Sequence, residues 1–185
     1  MLIIPMSITT HAQLEKGAKL VGLQTNIMVG DIYYAYLSID ANSNESNYGL
    51  NLVPTMGWAI QRNWVIGGQA TLGFLTGKDN ESTNENISTY YDLGIAPFTR
   101  LYLDLTKNKK LKIFGMAAVE FASSYARHTT KGGAFSYTDK TRYSSVLGTL
   151  GGGLGYFGRK IAIDLNASNT GLRLGVYKTL SGRKK

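Results

Sequence analysis

Five ionisable side chains, Asp92, Arg100, Glu120, Asp164 and Arg173, sit inside stretches that otherwise alternate apolar residues with small or neutral polar ones. Charges in such positions either line a wet interior or pair with one another inside a dry one. A hairpin turning about Ser168-Asn169 would put Asp164 directly across from Arg173, an opposite-charge pair. His128, with Ser144 and Glu120, supplies the residue types of a nucleophile–base–acid set. Nothing in their spacing demands that role. Gly153-Leu154-Gly155-Tyr156-Phe157-Gly158 spells a dinucleotide fingerprint, but only Arg159 and Lys160 separate it from the strand-like Ile161-Ala162-Ile163. That leaves no room for the helix whose N-terminus holds pyrophosphate. The glycines read instead as relief of crowding in a curved wall. No histidine or carboxylate cluster has metal-ligand spacing, and the absence of cysteine removes thiolate sites and disulfides. The residues thus nominate no catalytic, cofactor-binding or metal site, and a non-enzyme is expected.

The elements that carry these residues have a period of two. Leu50, Leu52, Pro54, Met56, Trp58 and Ile60 share one side of a stretch, and Gly49, Asn51, Thr55, Gly57 and Ala59 share the other, with Val53 out of character. In the next stretch Trp64, Ile66, Ala70, Leu72 and Phe74 oppose Gly67, Gln69, Thr71 and Gly73. Such alternation marks strands with one oily and one wet face. Eight are expected: 20–30 (continuing as far as 36), 48–60, 64–75, 90–103, 111–123, 145–157, 161–167 and 172–180. Their lengths meet the roughly 9–11 residues that a tilted strand needs to cross a bilayer. No apolar run approaches the roughly 18 residues of a membrane helix, so a membrane reading requires a closed barrel, which leaves no backbone group unpaired in lipid. In that barrel the oily faces look outward. An inward-facing oily side would instead make a soluble, lipocalin-like ligand carrier.

Links 61–63, 104–110 and 158–160 are short, 31–47, 76–89 and 124–144 are long, and the link at Ser168-Asn169 is tight. Short turns on one side and long loops on the other match outer-membrane barrels, with the short side periplasmic. The net charge of +8 is uneven. Thirteen basic residues, among them Arg62, Lys107, Lys109, Lys110, Lys112, Arg159 and Lys160, fall at the short-turn end against Glu15 and Asp104. Anionic lipid headgroups account for such a rim, as do turns kept soluble by lysine. A nucleic-acid partner would add a binding motif or a stacking platform, and none is visible. Trp58, Trp64, Tyr102 and Tyr156 lie near the short turns, and Tyr90 and Tyr91 near the long loops. These read as two interfacial girdles.

Residues 1–12 read as the remnant of a signal peptide. Leu2 to Ile8 are apolar, Thr10-His11-Ala12 resembles a cleavage site, and the basic n-region is missing. Residues 13–185 then form one barrel domain. Gly94-Ile95-Ala96-Pro97-Phe98-Thr99-Arg100-Leu101-Tyr102, Leu111-Lys112-Ile113-Phe114-Gly115, Gly151 to Tyr156 and Ile161-Ala162-Ile163-Asp164 resemble successive strands of the small bacterial outer-membrane β-barrel domain family. The resemblance implies an all-β, closed, eight-stranded, antiparallel up-and-down transmembrane barrel in a Gram-negative outer membrane. It implies no single activity. The family tends to end on an aromatic residue used by the barrel-assembly machinery, whereas this sequence ends Ser181-Gly182-Arg183-Lys184-Lys185. Tyr177 or Leu180 is expected to close the last strand instead. The leading functional expectation is a non-enzymatic cell-envelope protein in contact with outer-membrane lipids. It would display loops 31–47, 76–89 and 124–144 for adhesion or partner binding. A narrow porin-like solute channel and a lipid-modifying enzyme are the alternatives.

Overall fold

The computed structural model describes residues 14–27, 37–39, 45–81, 84–132 and 135–180. The expected signal segment lies outside them, as do most of 28–44 and the last five residues. Nine strands run in chain order: β1 Lys19–Ile27, β2 Leu37–Ile39, β3 Glu45–Gln61, β4 Trp64–Glu81, β5 Asn84–Asp104, β6 Leu111–Gly132, β7 Phe135–Phe157, β8 Ile161–Ser168 and β9 Gly171–Leu180. Each pairs antiparallel with its sequence neighbours from β3 through β9. β1 pairs with β9 on one side (Lys19 opposite Leu180) and with β3 on the other (Lys19 opposite Trp58), which closes the sheet into a ring. Eight strands make that ring. The three-residue β2 lies on β3 beyond the end of β1, Leu37 opposite Tyr48. The fold is thus an all-β, up-and-down barrel.

The faces sort as the alternation requires. Leu50, Met56, Ile66, Leu72, Leu93, Ile95, Leu101, Val119, Leu150, Leu154, Ile163 and Val176 all point outward and are exposed. The same strands turn Asn51, Thr55, Gln69, Thr71, Arg100, Glu120, Thr149, Asp164, Asn166 and Arg173 inward and bury them. A barrel with its greasy surface outside and its polar groups inside is built for a bilayer rather than for water. This excludes the soluble ligand carrier. Pro54 and Pro97 also point outward, and each coincides with a break in one flanking ladder: residues 53–54 drop out of the β3–β4 pairing and 96–97 out of the β5–β6 pairing. A residue without an N–H cannot complete a ladder on both sides.

Two sequence expectations are corrected. The links 76–89 and 124–144 are not loops over most of their length. β4 to β7 run 18, 21, 22 and 23 residues, so the ladders continue well beyond the oily band, with Thr76 opposite Thr89 and Arg127 opposite Lys140. Threonine and tyrosine are good strand formers, and the polarity of these segments marks exposure to water rather than loss of structure. The last hairpin turns about Asn169-Thr170, with Ser168 opposite Gly171 at φ 114°. Asp164 therefore faces Gly175, and Arg173 faces Asn166. The sequence placed the turn one residue early, and a one-residue displacement moves every partner by two.

Mutations that compare depth test the membrane placement. Leu72→Arg, at the middle of the oily band, is expected to cost about 2–4 kcal/mol, while Ile87→Arg, outward on the part of β5 beyond that band, should cost about 0–1 kcal/mol. Urea titration of the protein folded into lipid vesicles measures both, and equal costs would contradict the assignment.

Candidate functional site: the filled lumen and the chamber above it

The interior is arranged in layers, beginning at the short-turn end. Residues 14–18 tuck under the barrel, where the Gly17 amide donates to the Ala59 carbonyl at 2.7 Å and the Asn63 amide to the Leu14 carbonyl at 3.0 Å. Leu14, Tyr102, Phe114 and Phe157 fill the opening. Tyr102 stacks 5.2 Å from Phe114 and 5.4 Å from Phe157. Lys112 is fully buried among them. It pairs with Asp104, donates to Asn63 Oδ1 at 3.0 Å and lies 5.7 Å from the Phe157 ring centre. Two sequence assignments fail here. Tyr102 belongs to the plug and not to the girdle, and Lys112 is an interior ion-pair partner rather than part of a solvated rim.

The next layer holds Arg100. Its guanidinium donates to Asp164 at 2.7 Å, to the Tyr177 hydroxyl at 3.0 Å and to Gln24 Oε1 at 3.3 Å. The rings of Phe98, Phe114 and Tyr177 stand 5.1–5.5 Å from its charge centre. Asp164 is flanked across both ladders by glycine, Gly155 on β7 and Gly175 on β9. A Cβ at Gly175 would collide with the Asp164 carboxylate and the Tyr177 ring. The space left by these inward glycines is thus filled by neighbouring side chains. The plug and this layer together fill the short-turn half of the lumen with side chains.

Above them lies a chamber of about 220 Å³ lined by Asn26, Asn51, Asp92, Glu120, Ser145 and Arg173, among others. Glu120 reaches across the gap at Gly94 and accepts a 2.5 Å hydrogen bond from the Thr71 hydroxyl. Asp92 leans over Gly73 in the same way. Arg173 Nε donates to Asn26 Oδ1 at 3.0 Å. All five sequence-nominated ionic residues therefore face the interior, but they divide. Arg100 and Asp164 form one buried pair, while Asp92, Glu120 and Arg173 line the chamber.

Of the girdle residues, Trp58, Trp64 and Tyr156 are outward and exposed near the short turns, and the Trp64 indole N–H donates to the Thr99 hydroxyl at 2.8 Å. Tyr91 is outward at the far end, 5.4 Å from Phe74 and 6.2 Å from Tyr125. Tyr90 faces the opposite side, against His128. His128, Ser144 and Glu120 do not converge. Ser144 pairs with Ser123 on the outward face, and Glu120 lies far down the lumen. His128 Nδ1 instead meets Ser88 Oγ at 2.9 Å. Asp139, across from His128, accepts from the Lys140 amide. Among the described residues no third group hydrogen-bonds the ring to orient it toward a nucleophile, which a triad requires. Sequence reasoning overlooked Ser88, and its only cue was the register of two strands read as loop.

On the outer face of the projecting sheet Lys78 Nζ meets Glu85 Oε1 at 2.7 Å, and Lys131 lies 3.8 Å from the other oxygen.

No protein-family model matches the chain, and no curated protein sequence matches it. Among solved structures it is similar to Ail, the attachment invasion locus protein of Yersinia pestis. One crystal structure of Ail superposes with a TM-score of 0.36 at 14% identity, over 89% of this chain and 95% of that one. A second, of Ail in complex with the heparin analogue sucrose octasulfate, gives a TM-score of 0.42 at 15% identity, over 89% and 96%.

Two measurements follow from this geometry. Asp164→Asn strands the Arg100 charge in a dry layer and should cost about 3–5 kcal/mol, the usual penalty for breaking a buried pair. Denaturant unfolding in vesicles reads it, and a loss below about 1 kcal/mol, the scale of an exposed pair, would mean that the layer is wet. The hydrogen bond from Lys78, helped by Lys131, holds the Glu85 carboxyl below its ordinary value of 4.5. A carboxyl depressed in the folded state adds stability that is complete above its unfolded pKa and disappears as pH falls through the folded one. Amide protection at the β4–β5 tip, measured relative to the intrinsic exchange rate at each pH, should therefore fall on acidification below about pH 4.5, and Glu85→Gln should weaken that dependence.

Proposed function

We propose that the protein is a non-enzymatic, integral outer-membrane barrel whose task is to hold the projecting β4–β7 sheet outside the cell as a surface for partner binding or adhesion. The observation that carries this reading is the mismatch in strand length. β8 and β9 have 8 and 10 residues, close to the roughly 9–11 needed to span hydrocarbon, while β7 has 23. More than half of β7 thus serves something other than crossing the membrane. From Phe135 to Leu150 it pairs with β6 on one side and with no other strand among the described residues. Phe135, Tyr137 and Tyr143 are exposed on that stretch. A long open edge is costly in a protein that has no use for it, and an extended segment of another protein can add to such an edge.

In this reading the short turns face the periplasm and the long ladders face outward, with segments 31–47, 76–89 and 124–144 as the contact regions. Outer-membrane lipids surround the oily band, and the barrel-assembly machinery inserts the chain. The filled lumen and the unassembled His128 set favour display over conduction or lipid chemistry. Replacing 77–88 and 126–141 by two-residue turns, which joins Thr76 to Thr89 and Tyr125 to Arg142, should leave a barrel that still migrates anomalously on an unboiled gel. Cells carrying that variant should lose attachment to the surfaces that the parent binds. Undiminished attachment would refute the display role.

A further inference from the structure

The chamber at the outer mouth has a composition that neither the barrel nor the projecting sheet requires. Arg173 and Glu120 are 4% and 7% exposed and both line it, yet no ion pair forms between Arg173 and any carboxylate among the described residues. Among the described residues Arg173 makes one side-chain hydrogen bond, through Nε, and its Nη1 has no partner. Opposite charges so poorly hydrated would gain by collapsing onto each other, as Arg100 and Asp164 do one layer below. Here they are held on opposite walls, Arg173 on β9 and the two acids on β5 and β6. The acids are positioned by glycine gaps, Gly94 beneath Glu120 and Gly73 beneath Asp92. The Arg100 layer, with Asp164, Tyr177 and Gln24 around the guanidinium, lies beneath the chamber.

The wall above the acids adds aromatic surface. Tyr90 follows Asp92 at the next inward position of β5, and Tyr143 lies in the same row as Asp92, across Ser124. Tyr143 is 59% exposed. Aromatic faces beside a carboxylate form the setting that attracts an alkylated ammonium group, while an arginine with open donors takes a carboxylate or phosphate. We infer that this chamber is a binding site for a small zwitterion, its ammonium end toward Asp92 and Glu120 beneath Tyr90 and Tyr143 and its anionic end toward Arg173.

The test uses the full chain refolded in octyl glucoside micelles, whose headgroup carries no charge, with glycine betaine as the probe. Choline and acetate are the half-molecule controls, and titration calorimetry or saturation-transfer NMR is the readout. Betaine should bind saturably. Choline and acetate should each bind about tenfold more weakly or worse, the scale of one charge-assisted hydrogen bond. Asp92→Asn and Arg173→Met, checked for barrel formation by heat-dependent gel mobility, should each lose betaine to a similar extent. If the Arg173 variant fails to fold, Tyr143→Ala replaces it. That exposed position leaves the barrel intact and should weaken betaine and choline while sparing acetate. Absence of saturable betaine binding by the parent chain, choline binding as tight as betaine, or a folded Asp92→Asn variant that keeps full betaine affinity would each overturn the inference.

Discussion

Every amide and carbonyl that enters hydrocarbon must find its partner within the protein, because lipid offers none. In an all-β chain that requirement is met only when the first strand bonds to both the last and the next. β1 does so, with Lys19 to Gln24 paired to β3 and Lys19 to Ile27 paired to β9. Most other features follow from this closure. It fixes which faces meet lipid and confines all inward side chains to a narrow column. It also decides where the ladders can be released from constraint, since beyond the oily band water can satisfy an open edge. There β4 to β7 run on without a closed ring.

Within the column the energetic problem is the reverse of that in a soluble protein. The outer wall is stabilised by contact with lipid, so the interior is free to be polar, but eight strands leave room only for side chains. Arg100 shows how a charge is accommodated in so small a space. One carboxylate, one phenol, one amide and three aromatic rings surround a single guanidinium. Glycines on the neighbouring strands make the space for those partners. Large inward side chains and inward glycines are therefore two halves of one packing solution, with Asp164 lying between Gly155 and Gly175.

The barrel was legible from the sequence because period-two alternation depends on local chemistry alone: Leu50 to Ile60 and Trp64 to Phe74 show their two faces without reference to anything distant. The inward positions of Asp92, Arg100, Glu120, Asp164 and Arg173 follow from the same parity. Their partners were not legible. Asp164 and Arg173 are parted by a one-residue shift of the turn, and Arg100 reaches Asp164 across 64 positions of sequence. Tyr102 and Tyr90 were assigned to girdles by nearness to a turn or link, whereas parity with Arg100 and Asp92 on β5 places them inside. The length of β5 to β7 was hidden because a strand with water on both faces loses the apolar half of its pattern, and Thr129, Thr138 and Ser88 then read as loop. The chamber was hidden for another reason: it depends on two glycines, Gly73 and Gly94, lying beside acids on adjacent strands.

The organisation that emerges has three parts: a base filled by side chains, a wall with its greasy face outward and an open sheet standing over a small charged chamber. Display and ligand capture would both take place on the outer side, and both require the greasy surface to face the bilayer. Spin labels attached singly at positions 72, 95 and 150 and at 51, 69 and 71, in the protein folded into vesicles, measure that orientation directly. Strong collision with dissolved oxygen and little with a water-soluble nickel chelate is expected at the first three, and poor oxygen access at the others. Oxygen reaching the second set while the first set is shielded from lipid would contradict it.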